Sequence, residues 1–363
     1  MDVFIRVDAS LEIGQGHVMR CLTLASSLKE QGLTSTFISR EHPGNLCDFI
    51  EGHGYAVNRL PATKLSLSLD EESHHNSWLG ATWIEDAAQT TSVIAQASVC
   101  PKWLVVDHYA LDVLWERSLR ALTRRIMVID DLADRPHDAD LLLDQNLFFN
   151  MGERYTDLVK ANCTQLLGPN YALLRQEFID ARTNLRLRDG LIRRILIFFG
   201  GSDPTDGTSK ALDAIVFLNI PNVVIDIVVG ATNPRMESLA KRCAGLPNVL
   251  IHNQVNCMGA LMANADLSLG AGGSATWERC ATGLPSLVIS VADNQVSIAE
   301  GVDRMKAHHY LGKSSKVTAR MLAAAVINLQ KNPVALQEMS KAALTLVDGY
   351  GVRRVAASLK DIS

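Results

Sequence analysis

Short apolar runs alternate with segments of helical periodicity along the first half of the chain. Residues 3–7 form a compact run rich in β-branched side chains, which is typical of a buried strand. Apolar residues then recur at the spacing of a helix, at Val18, Cys21, Leu22, Ala25 and Leu28. Gly32 follows as a typical helix stop. Further strand-like runs follow at residues 36–39, 103–106, 126–129 and 141–143. Continuous apolar strands that alternate with helices predict a parallel sheet covered on both faces.

The second half of the chain repeats this pattern. Strand-like runs occupy residues 195–199, 223–229, 249–251, 265–269 and 286–289. The break between the halves falls near a Gly168–Pro169 turn, which precedes a charged stretch. We therefore predict an α/β protein of two Rossmann-like, doubly wound domains that face a cleft. The predicted division is an N-terminal domain at residues 1–168, a hinge at 169–194 and a C-terminal domain at 195–363.

Length and charge agree with two globular domains. The chain has 363 residues, more than one domain usually holds, and its 47% of hydrophobic residues can supply two cores. The formal net charge of −4 offers no electrostatic footprint for nucleic acid, so no such partner is expected. The densest basic stretch lies in the predicted hinge and is interpreted as a solvated connector; it comprises Arg182, Arg186, Arg188, Arg193 and Arg194.

The cysteines and the apolar runs indicate the compartment. The seven cysteines lack the paired short spacings of a zinc site or a disulfide framework, which fits a reducing cytoplasm. No apolar run reaches the roughly 20 residues that cross a bilayer. The first residues resemble a strand rather than an export signal. We therefore predict a soluble, cytoplasmic protein with no membrane partner.

Two polar segments suggest metal binding but have better explanations. Residues 61–100 contain an acidic triplet at 70–72 and the pair His74–His75, yet no third ligand stands at a useful spacing. A polar loop with a surface helix is therefore favoured. In the acidic cluster at residues 130–134, adjacent side chains diverge, and acidic helix caps are common. We predict no metal site and no cofactor.

Glycines flank the start of the first predicted helix. Gly14-Gln15-Gly16-His17 follows the first strand, where glycines let the backbone approach a ligand and the amides of a helix start favour an anion. The spacing is not that of a dinucleotide-binding loop, because Met19 stands where that motif has its third glycine. The P-loop sequence is also absent from the chain.

His17 is the candidate general base. It lies at the carboxyl end of a strand, where open α/β sheets bind ligands. A helix N-terminus also disfavours the protonated imidazole by about 0.3–1 kcal/mol. Arg20 follows one helical turn later as a partner for the substrate or for a nearby carboxylate. The alternative for His17 is a helix cap or a turn filler.

A second polar group ends another strand of the first half. Asp107, His108 and Tyr109 follow the run at 103–106 and should face the same sheet edge as His17. Either Tyr109 or His108 would hydrogen-bond a polar substrate there. A capping aspartate followed by ordinary loop residues is an equally weighted alternative.

Two glycine-rich turns follow strands of the second half. The first contains Gly201 and Ser202, and the second, at residues 270–276, contains Gly273 and Ser274. Such turns at helix starts can hold a diphosphate, and Glu278 in the following helix would reach ribose hydroxyls. Tight turns alone also require glycine, but two such turns in one domain are a more specific signal. Asn294 and Gln295 follow a further strand and supply amides suited to sugar hydroxyls.

Taken together, these motifs resemble a known family. The matching segments are residues 6–10, 13–17, 20–21, 107–109, 130–131, 168–175, 177–178, 200–203, 272–278, 283–285 and 294–295. In this order they resemble the UDP-sugar hydrolases of the pseudaminic acid pathway, over roughly residues 1–310. The second half also resembles the lipid II-forming N-acetylglucosaminyltransferase, which has the GT-B architecture.

The resemblance implies a GT-B-like fold that binds UDP mainly through its C-terminal domain. The backbone near Val255 would meet uracil, Glu278 the ribose, and the loops at Gly201–Ser202 and Gly273–Ser274 the diphosphate. Asp203 adds a negative charge beside that loop unless it caps the following helix. The remaining substrate-binding positions that the resemblance implies are Asp8, Gly14, Gly16, Arg20 and Gln295.

The reaction that the resemblance implies is hydrolysis of UDP-2,4-diacetamido-2,4,6-trideoxy-β-L-altropyranose to UDP and the free sugar. His17 would deprotonate a water that attacks the anomeric carbon with inversion, and Tyr109 and Asn294 would orient the sugar or the water. Backbone amides and helix starts would stabilise the departing UDP, so no metal is required.

Two other functions stay open at this stage. A glycosyltransferase would share the fold and the donor site and differ in its acceptor. A non-catalytic sensor would bind the UDP-sugar tightly and release no product, with or without His17. UDP release in water alone separates the hydrolase from both.

Overall fold

The computed structural model describes residues 2–62, 76–97, 100–230, 233–253, 255 and 257–362. The chain divides into two compact units. The first comprises residues 1–146, 150–173 and 351–363, and the second comprises residues 147–149 and 174–350. Each contains one sheet whose strand pairs are all parallel. The predicted fold class, two doubly wound α/β domains, is confirmed.

The first unit is built on a seven-stranded sheet of order β3-β2-β1-β4-β5-β6-β7. Its strands are β1 (Asp2–Val7), β2 (Thr34–Arg40), β3 (Ala56–Leu60), β4 (Trp103–Asp107), β5 (Arg125–Ile129), β6 (Leu141–Asp144) and β7 (Thr164–Leu167). Its helices are α1 (Gly16–Glu30), α2 (Cys47–Gly52), α3 (Trp83–Ala95), α4 (Val113–Leu119) and, from the end of the chain, α13 (Gly351–Asp361). Short 3₁₀ turns occupy Asn76–Leu79, Arg120–Leu122 and Pro169–Tyr171.

The second unit is built on a six-stranded sheet of order β10-β9-β8-β11-β12-β13. Its strands are β8 (Arg194–Phe198), β9 (Val224–Val229), β10 (Val249–Asn253), β11 (Leu267–Ala271), β12 (Ser286–Ser290) and β13 (His309–Lys313). Its helices are α5 (Gln176–Thr183), α6 (Gly207–Leu218), α7 (Met236–Cys243), α8 (Met258–Asn264), α9 (Ala275–Ala281), α10 (Asn294–Arg304), α11 (Ala319–Gln330) and α12 (Pro333–Leu346).

Both sheets are buried on their two faces, as their apolar runs predicted. Ile5 of β1 packs into one cluster of the first unit, and its neighbour Phe4 packs into the cluster on the opposite face. In the second unit, Ile195 and Leu196 of β8 divide in the same way. Because successive side chains of a strand point to opposite faces, this burial requires helices on both sides of each sheet.

The order of the strands fixes where the chain changes direction. In the first unit β1 pairs with β2 on one side and with β4 on the other, so the winding reverses between β1 and β4. In the second unit the reversal lies between β8 and β11. Ligands of open α/β sheets bind at the carboxyl edge of such a reversal. The loops after β1, β4, β8 and β11 are therefore where a ligand site is expected.

The end of the chain corrects the predicted domain division. Residues 351–363 had been assigned to the C-terminal domain, but α13 packs against α1 in the first unit. Val355 and Leu359 are fully buried in the cluster that covers β1, and the indole nitrogen of Trp103 donates to the Leu359 carbonyl oxygen at 2.8 Å. The helix belongs to the first unit because its apolar face completes that core.

The predicted hinge also differs from the structure. Residues 169–173 belong to the first unit, and residues 174–194 belong to the second. Arg188 is buried, where its guanidinium donates to backbone carbonyl oxygens of Ala265 and Thr282 at 3.0 and 2.8 Å. Burial lowers its pKa to about 10. This arginine therefore ties the segment to the second unit and is not part of a solvated connector.

Neither a membrane-spanning helix nor a metal-holding group of side chains occurs in the described part of the chain. None of the helices there is long and apolar enough to cross a membrane. No group of three or more His, Cys, Asp or Glu side chains in the described ranges is arranged to hold a metal ion. The acidic triplet at 70–72 and the pair His74–His75 lie outside those ranges.

Candidate active site

The loop after β1 delivers His17 to the carboxyl edge of the first sheet. Gly14 adopts a φ of +78°, and its amide donates to the Ser10 carbonyl oxygen at 2.9 Å. This conformation is strained for residues with a side chain, which explains the glycine. Helix α1 begins two residues later, so His17 lies in its first turn.

His17 is paired with Asp107, the last residue of β4. Its Nδ1 lies 2.6 Å from Asp107 Oδ1. An ionised carboxylate can only accept a hydrogen bond, so Nδ1 carries the proton and Nε2 has the lone pair that can accept another. The pair joins the start of α1, which follows β1, to the end of β4, at the reversal of the strand order. Asp107 thus fixes the tautomer that a general base requires.

Arg20 and Cys21 hold the same carboxylate. Arg20 donates to both oxygens of Asp107, from Nε at 2.6 Å and from Nη2 at 2.5 Å. The Cys21 thiol adds a weaker contact at 3.4 Å. Burial alone would raise the pKa of Asp107, but Arg20 and His17 outweigh it and hold that pKa well below its usual value. Of the two roles predicted for Arg20, the structure gives it that of a carboxylate partner.

Tyr109 packs beside His17. The two rings meet edge to face with centroids 4.7 Å apart. The Tyr109 hydroxyl donates to Asp131 Oδ1 at 2.6 Å, and the side-chain amide of Asn146 donates to Asp131 Oδ2 at 2.8 Å. Burial, followed by the charge of Asp131, raises the pKa of Tyr109 well above its usual value, so the phenol stays protonated. In the sequence, Asp131 stands out only in an acidic cluster and in the family resemblance, and neither predicts its bonds to Tyr109 and Asn146.

Asp8 is a correction to the predicted substrate-binding set. Its carboxylate is fully buried and accepts two hydrogen bonds from Arg6, at 2.6 and 2.8 Å. Arg6 in turn donates to Asp86 of α3. Buried charges of this kind persist only when they are paired. Asp8 therefore holds β1 to its surroundings and does not face a ligand.

His108, the second candidate in its segment, also faces this buried network. Its Nδ1 accepts a hydrogen bond from the Ala110 amide at 3.1 Å, and its Nε2 lies 3.5 Å from Asp8 Oδ2. Burial lowers the pKa of His108 to about 3, so the ring is neutral. Of the two candidates in this segment, Tyr109 is the one that contacts His17.

The acidic residues after β5 point to different partners. Asp130 accepts hydrogen bonds from the Tyr155 hydroxyl at 3.0 Å and from the Ala133 amide at 2.9 Å. Asp131 instead receives Tyr109. The two adjacent carboxylates are thus engaged by different partners.

The first glycine-rich loop of the second unit is closed by Asp203. Its two carboxylate oxygens accept the amides of Gly207 and Thr208, each at 2.8 Å, at the start of α6. Asp203 is therefore a helix cap, which was one of the roles considered for it. Gly201 and Ser202 stay partly exposed before this cap, and the Gly201 backbone packs directly against Gly230.

The second glycine-rich loop lies next to the start of α10. A side chain added at Gly273 would come within 3.4 Å of the Gln295 amide nitrogen, so these two predicted residues are neighbours. Ser274 and Asn294 are exposed beside them. Among the described side chains, none caps α10; the amides of Gln295 and Val296 donate instead to the carbonyl oxygens of Ala292 and Asp293 at 3.2 and 3.1 Å, and the positive end of the helix dipole faces this loop.

A buried arginine beneath this loop was missed by the sequence analysis. Arg279 Nη2 donates to the Ala271 carbonyl oxygen at 2.9 Å and to Thr276 Oγ1 at 3.0 Å. Its Nη1 is buried and has no hydrogen-bond partner among the described residues. Burial lowers the pKa of Arg279 to about 10, so the guanidinium is still charged near neutrality. It supplies positive potential under a loop that was expected to hold a diphosphate.

Glu278 lies in the first turn of α9, and Val255 lies in the loop after β10. Arg175 Nη2 is 3.6 Å from Glu278 Oε1, and the same arginine pairs with Glu177 at 2.7 Å. Burial raises the pKa of Glu278. Val255 is partly buried against the cluster that contains Phe178. The predicted nucleotide-binding residues thus all lie in loops or helix starts of the second unit.

Comparison with known proteins gives weak sequence similarity over most of the chain. No family model matches. The spore coat polysaccharide biosynthesis protein SpsG of Bacillus subtilis is 24% identical, over 100% of this chain and 98% of its own. A UDP-2,4-diacetamido-2,4,6-trideoxy-beta-L-altropyranose hydrolase of Campylobacter jejuni is 26% identical, over 66% of this chain and 74% of its own.

Solved structures of similar fold are GT-B glycosyltransferases. MurG of Acinetobacter baumannii superposes with a TM-score of 0.68 at 15% identity, over 99% of both chains. The spinosyn rhamnosyltransferase SpnG, solved with thymidine diphosphate, gives 0.63 at 18% identity over 100% of both chains. The chain therefore has the GT-B fold.

Proposed function

We propose that this protein hydrolyses a UDP-sugar, with water as the attacking group and His17 as the general base. The observation that carries the proposal is the pairing of His17 with Asp107 at the reversal of the first sheet. Nε2 is the basic nitrogen of this pair, and the carboxylate orients and stabilises the ring once it is protonated. This is the arrangement that proton abstraction from water needs.

The proposed step balances without a further reactant. His17 Nε2 takes a proton from water while the water oxygen forms a bond to the anomeric carbon. The bond from that carbon to the β-phosphate oxygen breaks, and its electron pair leaves with UDP. Attack opposite the leaving group inverts the anomeric centre. Tyr109 and Asn294 orient the water or the sugar in this scheme.

The second unit supplies the proposed nucleotide site. The amides at Gly273–Ser274 and at the start of α10 would meet the diphosphate, above the charge of Arg279. Glu278 would accept a ribose hydroxyl, and the backbone near Val255 would meet uracil. Gly201 and Ser202 would contact the diphosphate from the loop after β8, which Asp203 holds in place.

The proposed substrate is UDP-2,4-diacetamido-2,4,6-trideoxy-β-L-altropyranose, on the pathway to pseudaminic acid. Two observations support this choice: the motif resemblance described above and the name of the Campylobacter jejuni relative. The name of the Bacillus subtilis relative, a polysaccharide biosynthesis protein, is compatible with a sugar-processing role.

A glycosyltransferase is the second candidate, and one observation favours it. The solved structures that superpose over nearly the whole chain are glycosyltransferases. Such an enzyme would use the same UDP-sugar site but pass the sugar to an acceptor. His17 would then deprotonate an acceptor hydroxyl in place of water.

Incubation of the purified protein with this UDP-sugar, without acceptor and with EDTA present, tests the proposal. We expect equal amounts of UDP and free sugar by NMR, with the inverted anomer appearing first. His17→Asn should lower turnover about 10²–10⁴-fold, because the base is removed. His53→Asn, a matched change at an exposed histidine, should leave turnover unchanged.

The outcomes separate the candidates. Release of UDP only after an acceptor is added would replace the hydrolase by the transferase. Unchanged turnover in His17→Asn would show that another group is the base. If the protein binds the UDP-sugar but forms no product under any of these conditions, both enzyme candidates are excluded and the sensor is the remaining function.

A further inference from the structure

A third aromatic ring lies beside the His17–Tyr109 pair. Trp78 belongs to the 3₁₀ turn Asn76–Leu79, and its ring lies 5.8 Å from that of Tyr109 at an interplanar angle of 31°. Tyr109 in turn meets His17 edge to face at 4.7 Å. Trp78 and Tyr109 therefore form an aromatic shelf that ends at the proposed base.

The two residues that follow Trp78 fix the turn that carries it. Leu79 is 2% exposed and packs into the core cluster that covers β4 and β5. Gly80 has a φ of +65°, and a side chain added there would come within 2.5 Å of His42 Cε1. Only glycine permits this close approach. Because the packing of Leu79 and Gly80 fixes the chain directly after Trp78, the fold sets the position of Trp78.

The start of α3 fixes the same segment from the other direction. Thr82 caps the helix, since its hydroxyl accepts the Glu85 amide at 3.2 Å while Glu85 accepts the Thr82 amide at 2.9 Å. Such a reciprocal cap sets the entry of the chain into a helix. The turn therefore presents Trp78 at the carboxyl edge of the sheet, on the side of His17.

The two rings of the shelf differ in what they offer. Tyr109 is buried, and its hydroxyl is engaged by Asp131 at 2.6 Å. Trp78 is only partly buried, and its ring lies next to that of Tyr109. An indole surface of this kind binds flat, apolar groups. The shelf thus complements the hydrogen-bonding groups near His17 with an apolar wall, a combination that small-molecule sites share.

We propose that Trp78 is a specificity-determining residue that packs against the apolar face of the sugar. This rests on the proposed function, because it takes the sugar of a UDP-sugar as the ligand. A pyranose has a face of C–H groups, and a deoxy or acetamido sugar adds methyl groups to its apolar surface. Trp78 selects such sugars by covering these groups, while the second unit binds the UDP part.

Binding measurements without turnover test the shelf. The probe is a phosphonate analogue of the UDP-diacetamido sugar, in which a methylene group replaces the glycosidic oxygen. Its Kd and that of UDP are measured by calorimetry. Trp78→Ala should weaken the analogue about tenfold and change the Kd of UDP less than about twofold. Trp78→Phe keeps an apolar ring and should stay within about threefold of the wild type.

Trp83→Ala is the matched control, since it removes an exposed tryptophan from the nearby start of α3. Equal weakening of the analogue and of UDP in Trp78→Ala would overturn the proposal, as would unchanged affinity for both. With the natural substrate, the proposal also requires that KM rise more than kcat falls.

The shelf and the hydrolase fail in different ways. A wild type that binds the analogue but never hydrolyses the substrate refutes the hydrolase, and the binding comparison still decides the role of Trp78. If the wild type hydrolyses the substrate and Trp78→Ala binds the analogue as tightly as the wild type, the proposed role of Trp78 is refuted and the hydrolase stands. If the wild type does not bind the analogue at all, the proposed role of Trp78 in binding the sugar is also refuted.

Discussion

Asp107 connects two parts of the candidate site, because one carboxylate serves both His17 and Arg20. Its Oδ1 accepts from His17 Nδ1 at 2.6 Å and from Arg20 Nη2 at 2.5 Å. Asp107→Asn keeps the shape but presents a neutral amide, which no longer stabilises a protonated imidazole. We expect UDP-sugar turnover to fall about 10²–10⁴-fold with KM changed little, as measured by initial rates.

Asp112→Asn is the control for this change. Asp112 caps α4 by accepting the Leu114 amide at 2.9 Å, and asparagine caps helices equally well. Its turnover should match the wild type. If Asp107→Asn folds and keeps full activity, the tautomer of His17 does not depend on the Asp107 carboxylate. The pair of His17 and Asp107 is then not the catalytic base.

Some of these residues were within reach of the sequence and others were not. His17 and Tyr109 follow apolar runs, and parallel strands bring their carboxyl ends to one edge. Asp131 and Asn146 also follow apolar runs, but their bonds to each other and to Tyr109 depend on side-chain directions after β5 and β6, which spacing does not give. Asp8 shows the opposite failure: it stands at a strand end, yet Arg6 and Arg40 enclose it.

At the scale of elements, three strands escaped the sequence analysis, and they share a cause. β3, β7 and β13 each form an edge of a sheet. Edge strands are only partly covered, so their sequences mix polar and apolar residues: AVNRL, TQLL and HYLGK. A buried central strand such as β4 has a continuous apolar run instead. The fourth edge strand, β10, was predicted because it begins with an apolar run at residues 249–251. The hydrophobic pattern therefore locates the centre of each sheet and misses the edge strands that lack such a run.

The start of α6 gives a prediction at this scale. Asp203 accepts two amides there and has a φ of +45°. Asp203→Ala loses the cap and places a side chain that cannot cap in a strained conformation. We expect the free energy of unfolding, measured with urea, to fall by about 1–2 kcal/mol. Asp203→Asn should recover most of this loss, because asparagine both caps and tolerates positive φ.

The same variants separate a structural role from a binding role. Because the Asp203 side chain points to the helix start, the Kd of UDP should change less than about twofold in Asp203→Asn, which keeps the cap and the loop. A large loss of UDP affinity in a stably folded Asp203→Asn variant would mean that the carboxylate acts on the nucleotide, contrary to its position as a cap.

At the scale of the whole molecule, the last helix completes the core of the unit that contains the first strand. Leu359 is fully buried there, whereas Leu187 in the second unit is 93% exposed. Leu359→Ala should lower the free energy of unfolding by about 2–5 kcal/mol, and Leu187→Ala should leave it nearly unchanged. Hydrogen exchange localises the effect: protection should fall in β1 and α1 and persist in β8 and β11. Equal loss in both units would contradict the division of the chain.

The acidic cluster behind Tyr109 predicts how the stability of the protein depends on pH. Asp144 is nearly buried, and the charged or titratable groups that face it are Asp130, Asp131, Arg154 and Tyr155. Burial, together with the charge of Asp131, raises the pKa of Asp144 from 3.8 to about 7. The folded protein therefore holds a proton on this carboxyl that the unfolded chain releases near pH 4.

Because the folded state binds the extra proton, this group stabilises the fold most below pH 4, and its contribution is lost as pH rises towards 7. Asp144→Asn is neutral throughout and should remove a slope of up to about 1.4 kcal/mol per pH unit in that window, measured by urea unfolding at several pH values. Asp157→Asn, at an exposed site with a φ of +64° that asparagine tolerates, is the control and should keep the slope. If Asp144→Asn and the wild type have parallel stability curves between pH 4 and 7, Asp144 is ionised in the folded protein. The cluster behind Tyr109 would then carry a full additional negative charge, which would strengthen both the ion pair of Asp144 with Arg154 and the hydrogen bond that it accepts from Tyr155.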